Sequence, residues 1–520
     1  MRLGYTAAAV RAAEAPLLAA GHGEALMRTA AAGLATVCRR ELSTRHQTGS
    51  TRGTRGRISG SRVVMLVGAG NNGGDALFAG ANLADRGAHV TAIDVFGKMH
   101  PAGTAAFTAA GGHIEPFTAE RMSELAALLR RADLVIDGVL GTGAKPGLPA
   151  DLAALIRAWQ GEPQPASAGA GTPASAGTGT PAPVASPSQL VIAVDAPTGV
   201  DASTGACGDT CVRAAHTVTF GADKAGLMLP DGAAAAGQVT LVDIGLDMSS
   251  HVPAVHVPEP TDLTALWPRP QTGDHKYSRG VLGLVAGSAR FPGAGVLTAS
   301  AAAATGVGML RLLAPPEVTG TVLQNNPEIV TGTGRVQAWA IGPGAPDRLT
   351  MQHAITAAET HNLPLVIDAG GLSLLTRPLE TSCILTPHAG ELVALLSRLG
   401  TGAPSRADVE ADPVTHAVRA AQVLEAVVLL KGNRTIIARP DGTVVAPAPG
   451  PATLATAGTG DVLTGILGAL LATTSGTDID LADLGGLGVA MHARAGTHAT
   501  HASGVVTALA GEVLEVLAGR

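Results

Sequence analysis

The sequence predicts an α/β protein of two domains, each a mostly parallel sheet covered by helices. Three observations carry this. Short apolar runs of strand length alternate with Ala-rich helical stretches, as in Arg62–Val67 and Gly280–Gly287. Several runs stop abruptly in Gly, Asp, Asn or Thr, at the edge where open α/β sheets bind ligands. The chain also has 520 residues, enough for two cores, and a Pro-rich stretch without apolar period divides it at 249–272.

Apolar residues make up 46% and aromatics 2%, so both cores are built from Ala, Val, Leu and Ile. So few aromatics exclude a base-stacking platform. A net charge of −6 without a long basic block argues against a nucleic-acid partner. The short basic stretch Arg52–Arg62 is interleaved with Gly and Ser and reads as a solvated loop. The four cysteines make no disulfide framework. Cys207 and Cys211 are close, but no second pair or His cluster completes a zinc site. Cys38 and Cys383 read as core thiols, and all four as reduced. Met1 opens no signal sequence, and no run approaches the roughly 18 strongly apolar residues of a spanning helix. A soluble, cytoplasmic protein with no membrane partner is expected.

Residues 1–42 are Ala-rich, with Leu17, Leu18, Leu26, Met27, Leu34 and Val37 spaced for one face of one or two helices. After a polar loop, Arg62–Val67 reads as a buried parallel strand. It runs into Gly68-Ala69-Gly70-Asn71-Asn72-Gly73-Gly74-Asp75 and a helix to Arg86, and Val90–Val95 is the next strand. This unit opens a doubly wound sheet. Gly68, Gly70 and Gly73 match GxGxxG, which is weak evidence alone. Asn71, Asn72 and Asp75 are not what a pyrophosphate loop requires, and Asp75 in particular would repel phosphate. Amide and carbonyl oxygens suit a hard monovalent cation or sugar hydroxyls better.

Asp133–Leu140 is a strand carrying Asp137 at its end, then the loop Gly141–Gly147 and a helix over Asp151–Trp159. Low-complexity residues 161–188 read as a disordered surface insertion within the domain. The strand series resumes at Gln189–Val194 and ends in Asp195-Ala196-Pro197-Thr198-Gly199-Val200-Asp201. His216–Phe220 and Gln238–Ile244 are further strands. The polar loops after Val67, Asp137 and Val194 are therefore expected to converge on one sheet edge.

The motifs NNGGD, D-x3-GTG-x3-G and DAPTGVD, followed by TVTFGADKAGL, resemble the NAD(P)H-hydrate epimerase family over about residues 1–248. The resemblance implies a Rossmann-like domain that binds a hydrated nicotinamide dinucleotide and a potassium ion. It implies Asn72, Asp137 and Thr198 as ligands of K+. It implies substrate contacts from Asn71, Asn72, Gly73, Gly74 and Asp75, from Gly141, Thr142, Gly143, Ala144, Lys145, Pro146 and Gly147, and from Asp195. Asp195 is the candidate catalytic acid/base.

Residues 249–272 read as a linker and 273–520 as the second domain. Gly280–Gly287 is its first strand, followed by the loop Ser288–Ala294 and a helix over Gly295–Ala304. Strands then end at Ile341-Gly342-Pro343-Gly344, at Asp368, at Thr386-Pro387-His388-Ala389-Gly390-Glu391 and at Lys431-Gly432-Asn433-Arg434-Thr435. Pro440-Asp441-Gly442 reads as a hairpin turn. Last comes Ala455-Thr456-Ala457-Gly458-Thr459-Gly460-Asp461 before an apolar helix over Val462–Leu471. Helix-start amides lack intrahelical partners and favour anions. Asp461 cannot attract phosphate, but it can take a proton beside one, which suggests phosphoryl transfer to a hydroxyl. No GxxxxGK[ST] sequence occurs in this half, so phosphate binding falls to Gly432–Thr435 and Ala457–Gly460, with Lys431 and Arg434 as countercharges.

HKYSRGxLGLVAGS, PGA, GPG, DAGGL, LTPHAGE, KGNRT and ATAGTGDVLTG resemble the ribokinase-like superfamily and, within it, the ADP- or ATP-dependent NAD(P)H-hydrate dehydratases. The resemblance implies that Ala294, Gly344, His388 and Asp461 contact the hydrated cofactor. It implies that Lys431, Gly432, Asn433, Arg434, Thr435 and Gly460 contact the nucleotide. The pattern departs at Ala345, where the family usually carries a further glycine.

Together the resemblances imply a bifunctional repair enzyme. One domain interconverts the epimers of hydrated NAD(P)H. The other phosphorylates the C6 hydroxyl, with Asp461 as base and Mg²⁺ carried by ADP or ATP, and phosphate then leaves. ADP is the expected donor, and small molecules and a homo-oligomer the expected partners. Three alternatives stay open: a ribokinase-like small-molecule kinase, a redox enzyme on the first Gly loop, and a non-catalytic dinucleotide-binding module in the first half.

Overall fold

The computed structural model describes residues 1–48, 58–143, 147–161 and 189–520. Ala144, Lys145 and Pro146 of the expected substrate loop, residues 162–188 of the low-complexity stretch and the basic residues Arg52, Arg55 and Arg57 lie outside the described residues. The chain divides into two compact units, Gly4–Pro253 and Ala254–Arg520, the latter joined by Met1–Leu3. Among the described residues no helix is long and apolar enough to cross a membrane.

The first unit is built on a seven-stranded sheet. Its order is His113–Pro116, His89–Asp94, Arg62–Val67, Leu134–Gly138, Leu190–Val194, His216–Phe220 and Gln238–Val242. Every pairing is parallel. Successive side chains of a strand face opposite ways. Val63, Met65 and Val67 therefore pack under helices Gly23–Thr48 and Asn71–Ala84, with Leu34 and Leu77. Val64 and Leu66 pack on the other face under Met122–Arg131 and Ala150–Gln160, with Leu125 and Leu155. Burial on both faces explains the continuous apolar runs. The chain winds outward from Arg62–Val67 and then returns to its other side at Leu134–Gly138, so the strand order reverses there. A crevice opens at such a point, outside the strand C-termini.

The second unit carries an eleven-stranded sheet. Its order is Arg2–Gly4, Val255–Val257, Val444–Val445, Ile436–Ala438, Val427–Leu430, Cys383–Leu385, Leu365–Ile367, Ala338–Ile341, Val281–Val285, Met309–Leu313 and Val330–Thr331. From Val427–Leu430 through Val330–Thr331 the pairing is parallel. The hairpin through Gly442 is antiparallel.

The expected linker differs from what the structure contains. Val255–Val257 pairs with Val444–Val445, and Pro260–Leu266 is a helix that sends Leu263 and the following Trp267 into the core. Its proline sits in the first turn, where the missing N–H is harmless, behind a Glu259/Asp262 capping box. Proline there starts an element rather than breaking one.

Helix Thr459–Thr473 is buried almost throughout and lies on helix Pro292–Thr305. A Cβ at Gly465 would stand 2.3 Å from the Thr298 carbonyl oxygen. Only glycine permits that approach, which brings Asp461 and Ala294 to the same sheet edge.

Candidate functional site

In the first unit Gly68 and Gly73 of the GxGxxG match serve close packing, while a Cβ at Gly70 would meet nothing within 4 Å. A Cβ at Gly68 would lie 2.0 Å from the Val139 carbonyl oxygen, and one at Gly73 2.1 Å from that of Gly68. This nests the first loop against the second. Asp137, fully buried at its strand end, accepts hydrogen bonds from the Thr198 hydroxyl at 2.6 Å and the Thr198 amide at 2.7 Å. It ties the second and third loops together rather than capping a helix. Burial pushes its pKa up to about 6, against the bonds from Thr198 and Val139. Asn72 lies over Gly141, whose Cβ would stand 3.0 Å from the Asn72 Oδ1, and the Asn72 Nδ2 is buried without a partner. The set fits a monovalent cation: its donors are oxygens, and the hydrogen-bond partners of the buried Asp137 carboxylate are neutral.

Asp195 has left-handed backbone, φ 65, a sparsely populated region that marks sites held by their surroundings. Its carboxylate is buried and paired with the Lys224 Nζ at 2.5 Å. It also accepts from the Thr142 hydroxyl, the Thr142 amide at 3.2 Å and the Thr219 hydroxyl at 3.3 Å. Burial raises its pKa, but the Lys224 charge and these bonds outweigh that and hold it below the ordinary value. Asp75 goes the other way. It is buried, its Oδ1 has no hydrogen-bond partner, and burial plus the charges of Asp195 and Glu14 push its pKa well above the usual range. Burial and its acidic neighbours thus favour its protonated form.

Of the predicted contacts, Asn72, Thr142, Asp137, Thr198 and Asp195 come together with Asp75. Asn71 is exposed at the helix start, and Gly143 and Gly147 are exposed on the second loop. Gly74 instead faces Met27 and His100. Sequence reasoning missed three residues. Lys224 lay inside the quoted TVTFGADKAGL motif. Glu14 and Arg11 sit on helix Ala7–Ala19, and Arg11 donates to the Thr142 carbonyl at 2.7 Å. A helical pattern alone gives no reason to single out either.

In the second unit Gly458 turns left-handed, φ 91, and caps helix Thr459–Thr473. The first amides of that helix have no partner within it. Asp461 stands in its first turn, where burial and the Asp368 charge raise its pKa to about 6 against the pull of Lys431. Asp368 is itself buried at the end of Leu365–Ile367. It is paired with the Lys431 Nζ at 2.6 Å and accepts from the Thr464 hydroxyl at 2.8 Å. Lys431 lies beside Gly460, whose Cβ would stand 3.6 Å from its Nζ, and bridges to His388. His388 caps helix Ala389–Arg398 through its Nδ1, 3.1 Å from the Glu391 amide, with its ring largely exposed. Gly432 and Asn433 are exposed, while Arg434 and Thr435 are half-buried. A Cβ at Gly344, φ 69, would lie 2.7 Å from that of Ala294. Beneath the loop, His492 bonds the Thr459 backbone, and burial depresses its pKa to about 4, so it stays neutral. Asp368, Thr464 and His492 were not singled out. Of these, only Asp368 carried a signal, as a strand-ending carboxylate.

Comparison with known proteins agrees with this division. The family model for NAD(P)H-hydrate dehydratase matches residues 282–518, and that for the YjeF-related protein N-terminus matches 23–226. The chain is 39% identical over 485 residues to the bifunctional NAD(P)H-hydrate repair enzyme Nnr of Mycobacterium tuberculosis, covering 91% of this chain and 89% of that one. It is 43% identical over 259 residues to the NAD(P)H-hydrate epimerase of Clavibacter michiganensis, covering 48% of this chain and 94% of that one. A solved ADP/ATP-dependent NAD(P)H-hydrate dehydratase from Bacillus subtilis, co-crystallised with ATP and Mg²⁺, is 28% identical. It covers 49% of this chain and 96% of that one at a TM-score of 0.44.

Proposed function

The chain belongs to the bifunctional NAD(P)H-hydrate repair enzymes, and from that premise we propose a division of labour between its two sites. The first unit epimerises hydrated NAD(P)H, and the second dehydrates one epimer to NAD(P)H at the expense of ADP or ATP. A cytoplasmic location follows from the coenzyme substrates.

In the second unit Asp461 takes the proton from the C6 hydroxyl as its oxygen attacks the terminal phosphoryl group. The amides of Gly458–Gly460 and the Lys431 charge face the developing negative charge. Mg²⁺ brought with the nucleotide neutralises phosphate charge. The C6–O bond then breaks, phosphate leaves, a proton departs from C5 and the dihydropyridine diene returns. Ala294, Gly344 and His388 hold the hydrated cofactor, and Lys431–Thr435 with Gly460 the nucleotide. The observation that carries this is the placement of Asp461 at an open helix start beside the Lys431–Asp368 pair.

In the first unit Asn72, Asp137 and Thr198 would hold K+, which would supply positive charge to the site. The pKa of Asp195 is held down and that of Asp75 pushed up, the separation that suits a base and an acid. The remaining loop residues bind the dinucleotide.

The test is incubation of a mixed-epimer hydrate with Mg²⁺ and each nucleotide in turn, read by dihydronicotinamide absorbance and released phosphate. Recovery past the fraction of one epimer supports both activities. A stable phosphorylated product without NAD(P)H would make this a kinase instead.

A further inference from the structure

One feature of the first unit lies outside the proposed chemistry. The segment 207–211 backs two of the site's loops. Cys207 forms an antiparallel bridge with Val200, and the Val212 amide donates to the Thr198 carbonyl at 2.8 Å. Gly199, φ 95, lies so close that its Cβ would stand 3.1 Å from that of Cys211. A Cβ at Gly208 would stand 3.7 Å from the Gly147 nitrogen, at the end of the second loop. Both cysteines line one cavity of about 260 Å³, open between Ile156, Arg213 and Asp231.

We propose that Cys207 and Cys211 are a redox-sensitive thiol pair that closes to an intramolecular disulfide and, in closing, displaces Thr198. The Cys207 Sγ donates to the Gly205 carbonyl at 3.8 Å, and both cysteine side chains line the same cavity with Arg213. The Arg213 charge favours a thiolate at either sulfur. The other two thiols, Cys38 and Cys383, are buried and shifted upward by burial, which leaves them inert. Among the described residues no group of three or more His, Cys, Asp or Glu is placed to hold a metal ion.

The oxidant is a hydroperoxide. One thiolate of the pair attacks its O–O bond, becomes a sulfenic acid and releases water or an alcohol. The other sulfur then attacks that sulfur, the S–O bond breaks and water leaves. Two thiols are oxidised and one peroxide reduced, and a dithiol reverses the change by exchange. A disulfide fixes the separation of its two Cα atoms within narrow limits. Here it joins the residue bridged to Val200 to the one packed on Gly199. Thr198 holds both oxygens of Asp137 from the same backbone, so the strain reaches the site.

The experiment treats the full chain with limiting hydrogen peroxide. The peptide ending at Arg213 should lose about 2 Da, and free thiols should fall from the four present by one pair. Hydrogen exchange at Thr198–Val200 should rise. Epimerisation should drop between about ten- and a hundredfold, as a displacement near 1 Å can do, and return with dithiothreitol. Cys207→Ser and Cys211→Ser should keep the reduced rate and resist the loss. Overoxidation without a disulfide would overturn the proposal. So would a disulfide that leaves exchange and epimerisation unchanged. The rate measurement rests on the epimerase reading. If the reduced protein does not epimerise at all, that reading fails, while mass and exchange still decide on the thiol pair.

Discussion

Asp461→Asn separates catalysis from stability in opposite directions. The amide keeps the shape but takes no proton, so dehydration should fall by the 10²–10⁴-fold that a positioned general base supplies, about 3–5 kcal/mol of barrier. KM for the hydrate should change little, because the substitution acts on the proton transfer. Stability should move the other way. The Asp461 pKa, raised by burial and Asp368 from 3.8 to about 6, lies above its unfolded value. Between those two values the folded state binds more protons, and stability falls as pH rises. At pH 7 the ionised carboxylate therefore destabilises the fold by on the order of 2–3 kcal/mol, less where solvent screens it. The variant should melt higher than the parent at pH 7, with the difference gone near pH 4. In the parent, dehydration should decline about tenfold per unit as pH drops below about 6. Nucleotide-dependent recovery of absorbance and a melting series across pH check both. Activity within tenfold of the parent would refute the base assignment. A variant that melts lower at pH 7 would refute the electrostatic argument.

Three further outcomes are expected. Lys224→Met leaves the Asp195 carboxylate buried without its cation, 2.5 Å away in the parent. Denaturant unfolding should show a loss of about 3–5 kcal/mol, and epimerisation should disappear. Thr198→Ala removes the hydroxyl that donates to Asp137 at 2.6 Å; it should cost about 1–3 kcal/mol and weaken the K+ dependence of epimerisation, while Thr198→Ser keeps both. Ala345 sits at φ 48, so Ala345→Gly should stabilise the chain by about 1 kcal/mol in urea unfolding, and an unchanged midpoint would count against backbone strain there.

What was legible in the sequence follows from what each signal encodes. Strands buried on both faces show as apolar runs, so Arg62–Val67 was placed to the residue. Polar residues at strand ends announce the site edge, which is why Asp137 and Asp195 could be named, and a small-residue loop before an apolar helix pointed to Asp461. Partners far apart in sequence leave no pattern. Nothing before folding pairs Lys224 with Asp195, and the charge of a buried acid such as Asp75 depends on neighbours from distant segments. Proline misled at 249–272 because its helix-start role and its chain-breaking role look alike in composition. Ala345 was visible as a departure from the family pattern, but its left-handed backbone was not.

Both sites solve the same electrostatic problem in different measure. Each pairs one buried aspartate with one lysine, Asp195 with Lys224 and Asp368 with Lys431. Each sets a second aspartate beside that pair, Asp75 or Asp461, whose pKa is raised first by burial and then by the paired carboxylate. One lysine charge thus serves two acids, and the unpaired acid is shifted toward its protonated form. Asp75 is buried and faces a third acid, Glu14, which favours the protonated form, a hydrogen-bond donor. Asp461 stands at a half-open helix start with Lys431 pulling back, so at pH 7 it is largely ionised and can accept. The same three-residue arrangement therefore suits the proposed acid in one unit and the proposed base in the other, and the difference lies in burial and one additional carboxylate rather than in the residue types.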